Sequence, residues 1–166
     1  MAYPTSATGF RPVRRNELRP ERIHDTYKLT RKLAEPAVCG GCGAVYHMGR
    51  WQWGPHPDNA TKVTCPACAR VHDRVPVGFV HVGGEYFAAH RDELLRLLRH
   101  HEEREKAQHA LARIMAIEDE PGGVLVTTTD MHLARDLGEA LHHAHQGELE
   151  FHYNEGENLL RVHWRR

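Results

Sequence analysis

Four cysteines carry the clearest chemistry in this chain. They form two pairs, Cys39-Gly-Gly-Cys42 and Cys65-Pro-Ala-Cys68, with 22 residues between them. Each pair can place two thiolates on a tetrahedral ion, and the long spacer lets the chain return to close the site. Gly43 follows the first pair and suits a tight turn that aims backbone N–H groups at sulfur. Four thiolates leave no open position, so the pattern predicts one structural Zn2+ and not a catalytic one. The alternatives are two disulfides, a redox dithiol at Cys65 and Cys68, or an iron or iron–sulfur centre. His47, His56 and His72 lie near the cysteines. With the ligand count already complete, they read as surface or loop histidines.

A second group of residues suits nucleic acid. Arg50, Trp51, Trp53, Lys62, Arg70 and Arg74 surround the cysteine pairs. Aromatic rings flanked by cations can stack on bases and meet phosphates. Packing of both tryptophans between the ribbon and its neighbour is the competing reading. Ahead of them, Arg14, Arg15, Arg19, Arg22, Lys28, Arg31 and Lys32 are broken up by prolines. Too little apolar surface accompanies them to offset their ordering entropy, so residues 1–37 read as a basic arm, flexible when unbound.

Enzyme chemistry finds little support. Ser6 is the only serine and precedes any recognisable element. Gly40-Gly41 and Gly83-Gly84 lack phosphate-loop spacing. Thr127-Thr128-Thr129-Asp130 crosses from a strand into a helix start, where an N-cap is the simplest role. Ten histidines follow residue 84, and His142, His143 and His145 read as exposed helix positions.

These residues need elements to hold them. Residues 38–84 read as a zinc ribbon of small antiparallel β structure. Strands are expected at Ala44–Trp53 and Ala60–Thr64, with a third at Val77–Val82 that Gly83-Gly84 ends. Residues 85–166 read as a separate small α-β-β-α-β-β domain with an antiparallel or mixed sheet. Its first helix spans 91–108, with Leu94, Leu95, Leu97 and Leu98 as an apolar stripe and a polar end projecting into solvent. Strands follow at about 112–118 and 124–129. A helix at 131–146 carries Leu133, Leu137, Ala140, Leu141 and Ala144 on one face. Alternating apolar positions give strands at 148–154 and 159–165. The fold class is α+β.

The length of 166 residues admits one or two small domains, and 40% hydrophobic content fills a modest core. No run reaches the ~18–20 apolar residues a membrane span needs. Met1–Thr5 contains no apolar segment of the kind that marks a secreted protein, so a cytoplasmic location is expected. The formal net charge is zero, yet residues 1–84 hold 12 basic and 6 acidic residues while residues 85–166 hold 10 and 16. A basic half joined to an acidic half points to partners and not to fold. Protonation of all ten histidines of the second half would invert its sign in acid.

Several segments resemble a group of bacterial zinc-ribbon proteins related to the ribosomal export adaptor of archaea and eukaryotes, nonsense-mediated-decay protein three. They are Cys42-Gly43-Ala44-Val45-Tyr46, Gly49-Arg50-Trp51-Gln52-Trp53, Thr64-Cys65-Pro66-Ala67-Cys68 with Arg70 and Asp73, Val124–Asp130, Leu133-Ala134-Arg135 and Gly147-Glu148-Leu149. The resemblance covers residues 20–166 for the bacterial group. For the adaptor it covers the second cysteine pair and residues 114–164. The adaptor has more cysteine pairs and further domains, so an export role does not carry over. The resemblance implies a non-enzymatic protein that binds the large ribosomal subunit or its rRNA. The bacterial group's association with stress or low oxygen makes a hibernation factor the expected type. A basic ribosomal protein is a further expected partner for the acidic half, with no membrane and no small-molecule substrate. The alternatives are a zinc-stabilised protein-interaction module without RNA, and a redox or iron protein.

Overall fold

The computed structural model describes residues 10–13, 27, 33–154 and 156–166. It is an α+β protein with two mixed sheets and three helices among the described residues. The smaller sheet contains β2 (Ala37–Cys39), β3 (Val45–His47), β4 (Arg50–Gln52) and β5 (Thr61–Val63), in the order β4-β3-β2-β5. The stretch expected as one strand, Ala44–Trp53, is a hairpin. Met48 and Gly49 take φ of 50° and 75° at its turn, a conformation that reverses the chain tightly and twists with the strands. The Glu35 carboxylate accepts both turn amides, Met48 N–H at 2.9 Å and Gly49 N–H at 3.0 Å. After β5 the chain forms α1 (Pro66–Asp73), which periodicity did not suggest because eight residues are too few to show it. Its start is written locally all the same: Cys65 caps it and Pro66 takes the first helical position.

The larger sheet runs β1-β9-β10-β6-β8-β7. Its members are β1 (Phe10–Val13), β6 (Gly78–Gly83), β7 (Ile114–Glu120), β8 (Gly123–Thr128), β9 (Glu148–Asn154) and β10 (Leu159–Arg165). The strand expected to complete the ribbon, Val77–Val82, lies here instead, parallel to β10 and antiparallel to β8. Val80 and Val82 drive this placement. They are fully or almost fully buried beside Val124, Val126, Val162 and Trp164, a core the small ribbon cannot supply. Residues 10–13, expected within the arm, pair with β9 as an edge strand.

Two helices cover the apolar face of this sheet, α2 (Glu85–Gln108) and α3 (Met131–His145). The first begins six residues earlier than its leucine stripe suggests and kinks at His90, next to the expected start. Gly84 makes the early start possible. Its φ is 101°, and a Cβ there would lie 2.3 Å from the Arg166 carbonyl oxygen. The charge break at Gly83-Gly84 therefore falls between β6 and α2, inside one packed unit. Asp130 caps α3 as expected, its carboxylate accepting His132 N–H at 3.1 Å. Thr128 and Thr129 hydroxyls donate to the Asp130 and Leu111 carbonyls, so the threonine run is a helix-start support.

One histidine of this unit lies in an unusual environment. His163 on β10 stacks on His81 with centroids 4.5 Å apart and meets His152 edge-on. Burial, with His81 and His152 beside it, holds its pKa down at about 4. One of the ten therefore stays neutral through the mildly acidic range, so residues 85–166 reach their full positive charge only below about pH 4.

Candidate metal centre

Three elements deliver the four cysteines. Cys39 ends β2, Cys42 lies in the turn toward β3, and Cys65 and Cys68 form the cap and first turn of α1. The four Sγ atoms lie within 4.8 Å of one another, and Cys42 Sγ stands 3.8 Å from Cys65 Sγ. Metal–sulfur bonds of about 2.3 Å in a tetrahedron put sulfurs roughly 3.8 Å apart, so the group can hold one metal ion. Cysteine ligation at a helix start gains from the free amides there. Cys68 N–H points at Cys65 Sγ and Cys65 N–H at Cys39 Sγ, each at 3.3 Å. Gly43 has φ of 80° and turns the chain as expected, but its N–H goes to the Cys39 carbonyl at 2.9 Å and not to sulfur. Gly41 is the glycine pressed on the cluster, where a Cβ would sit 3.2 Å from Cys68 Sγ.

The thiols differ in environment. Burial pushes the Cys65 thiol up, and burial also raises Cys68 against the pull of Arg113. Burial works the same way on Cys39, but the Cys65, Cys42 and Gly41 amides outweigh it and bring that thiol down to about 6. Four thiolates around a divalent ion carry a net charge of −2, which a half-buried site must offset. Arg113 offsets half of it. Its guanidinium donates to Cys68 Sγ at 3.2 Å and approaches Cys65 Sγ at 3.8 Å, while also binding the Ala110 carbonyl. Those sulfurs hold it charged despite its burial. Sequence reading missed this residue because 45 positions separate Arg113 from Cys68. The one local signal is a lone cation within the apolar run Ala110–Ile114. Replacement of Arg113 by Met should lower metal affinity about 10–100-fold, the usual cost of removing an outer partner. Arg113→Lys should recover part of it, read by competition with a chromophoric chelator.

The residues expected to meet nucleic acid separate into distinct environments. Arg50, Lys62 and Arg74 are exposed. Trp51 is half-buried, tilted against Tyr46 at 5.4 Å, and lines a groove of about 950 Å3 between the ribbon and the helices. Trp53 packs between the two units, its indole N–H donating to the Lys106 carbonyl at 2.6 Å. Arg70 is buried, 5% exposed, and donates to the Val75 carbonyl with its guanidinium over the Tyr27 ring. These two side chains are occupied by the fold, because a buried guanidinium or indole needs partners that only the protein can supply there. Arg14, Arg15, Arg19, Arg22, Lys28, Arg31 and Lys32 lie outside the described residues. His56 bonds the Gly43 carbonyl and His72 pairs with Asp73, so neither ring belongs to the cysteine group. No helix among the described residues is long and apolar enough to cross a membrane. Comparison with protein-family models, curated proteins and solved structures gave no match.

Proposed function

We propose that the cysteine group holds structural zinc and that the protein is a non-enzymatic, ribosome-binding RNA ligand of the stress or hibernation type. The observation that carries this reading is the cationic surface of the ribbon. Arg50, Lys62 and Arg74 stay exposed around a centre whose own charge is halved internally by Arg113. Such a surface attracts phosphate without spending charge on the fold. Trp51, next to Arg50, is only half-buried, which leaves part of its indole for contact with a base. The closed set of four thiolates supports a structural role for the ion over a catalytic one. The groove beside Trp51 is also walled by Glu105, Asp130 and Asp136, which favours a basic ribosomal protein as a second contact.

The test is sedimentation of the full chain with ribosomes on sucrose gradients, with titration of structured rRNA followed by anisotropy. Arg50→Ala/Lys62→Ala should weaken binding and reduce the salt slope by roughly 0.7–0.9 per lost phosphate contact. Trp53→Phe should leave the RNA contact intact. A protein that stays at the top of a low-salt gradient, with the double variant unchanged against RNA, defeats the ribosome reading. Metal analysis tests the centre separately: iron with visible absorbance in place of colourless zinc favours the redox alternative.

A further inference from the structure

The C-terminal half of α2 does not project into solvent as its polar sequence suggests. Glu102 accepts Ile114 N–H at 2.7 Å, and Lys106 offers its carbonyl to Trp53. One residue before each of these, His101 and Glu105 stand one turn apart on the same helical face. Opposite them is Asp136 of α3. One ligand atom from each of the three residues lies within 4.8 Å of the others, and all three side chains are half-buried.

Two features of this cluster are costly as the protein stands. His101 Nε2 is shut off from solvent and has no hydrogen-bond partner among the described residues. A buried polar nitrogen left so has lost its hydration with no hydrogen bond in return. Glu105 and Asp136 bring two carboxylates together, and no Lys or Arg among the described residues forms an ion pair with either. Burial raises the Asp136 carboxyl and the Glu105 charge raises it further, against a smaller opposing pull from His101 and His132. A cation between the three groups removes both costs. It takes a lone pair from the imidazole and neutralises the carboxylates.

We propose that His101, Glu105 and Asp136 form a second metal site, which takes a divalent first-row transition-metal ion. The imidazole disfavours Mg2+ and Ca2+, which prefer all-oxygen sets, and the lack of sulfur separates this site from the cysteine centre. Three protein ligands leave at least one coordination position open, toward a groove of about 830 Å3 along α2 and α3. The two sites therefore differ in kind, one closed and one open.

The test uses the untagged full chain preloaded with one equivalent of Zn2+ at the cysteines. Zn2+ is then titrated against a chromophoric chelator in excess Mg2+. The wild type should bind a second equivalent. Asp136→Asn and His101→Gln should each weaken that second equivalent by at least about 100-fold, beyond what loss of an outer partner costs, while the first stays unchanged. Co2+ gives an independent reading. The cysteine centre produces intense thiolate charge-transfer absorption, and the second equivalent should add only weak bands that both variants lose. A wild type that stops at one equivalent overturns the proposal without reference to any variant. So does a second equivalent that survives both substitutions, which places it on other histidines, or one that excess Mg2+ displaces.

Discussion

Stripping the ion from the cysteine centre is expected to unfold residues 37–75 and leave the six-stranded sheet intact. The ribbon has little else to hold it. Its buried apolar set is small, with Ala44, Ala67 and the cysteines themselves at its centre, and its strands are three residues long. Pieces of that size do not offset their ordering entropy. Structural zinc contributes about 10–16 kcal/mol in small domains, as much as the ~5–15 kcal/mol that holds a whole domain folded. Cys65→Ser sharpens the test, because serine can still cap α1 in place of the Cys65 sulfur but does not complete the metal set. Amide hydrogen exchange should show protection lost from β2 through α1 and kept in β6, β8 and β10. Protection that persists across β2–β5 in metal-free protein would show that the ribbon folds on packing alone. Affinity should also fall with pH, since each thiol must lose its proton to ligate and the buried Cys65 resists this most.

Replacement of Trp164 by alanine should produce the largest loss in the other unit. The ring is 1% exposed on β10, within the core shared by β6, β8 and both helices. Loss of so large a buried side chain costs about 3–5 kcal/mol, a substantial share of the ~5–15 kcal/mol total for a domain. Trp164→Phe separates packing from polarity. It keeps most of the apolar volume but drops the N–H that donates to the Gln146 carbonyl at 2.7 Å. That carbonyl follows α3, where Gln146 already has φ of 60°, so its orphaning should cost about 1–3 kcal/mol. Urea unfolding should place the midpoints in the order wild type, Trp164→Phe, Trp164→Ala, with a common slope. Equal midpoints for the two variants would assign the whole effect to the hydrogen bond.

Both expectations follow from elements that local sequence already described. The spacing of Cys39, Cys42, Cys65 and Cys68 was enough to assemble the metal group, because two short knuckles and one return of the chain satisfy a tetrahedron almost regardless of detail. The alternation Leu160, Val162, Trp164 and the stripe Leu133, Leu137, Leu141 identified β10 and α3, because a half-buried strand and a helix write their period into consecutive residues. The Asp130 cap was local in the same sense. The α+β class followed from these.

What local pattern does not encode is which surfaces meet. Residues 78–83 read as a strand, but whether Val80 and Val82 complete the ribbon or the larger core is decided by where enough apolar area exists to bury them. Arg70 and Trp53 had the composition of nucleic-acid contacts; tertiary packing enclosed the first beneath Tyr27 and set the second on α2. Arg113 became the charge partner of sulfurs 45 and 48 residues away. His101, Glu105 and Asp136 came together only because α2 and α3 lie side by side over the same sheet. Amino-acid sequence determined the elements and the four-thiolate chemistry, since those depend on interactions a few residues long. The tertiary structure alone decided which cations remain free for a partner and which polar groups face one another, since burial and charge pairing are properties of surfaces brought together from distant parts of the chain.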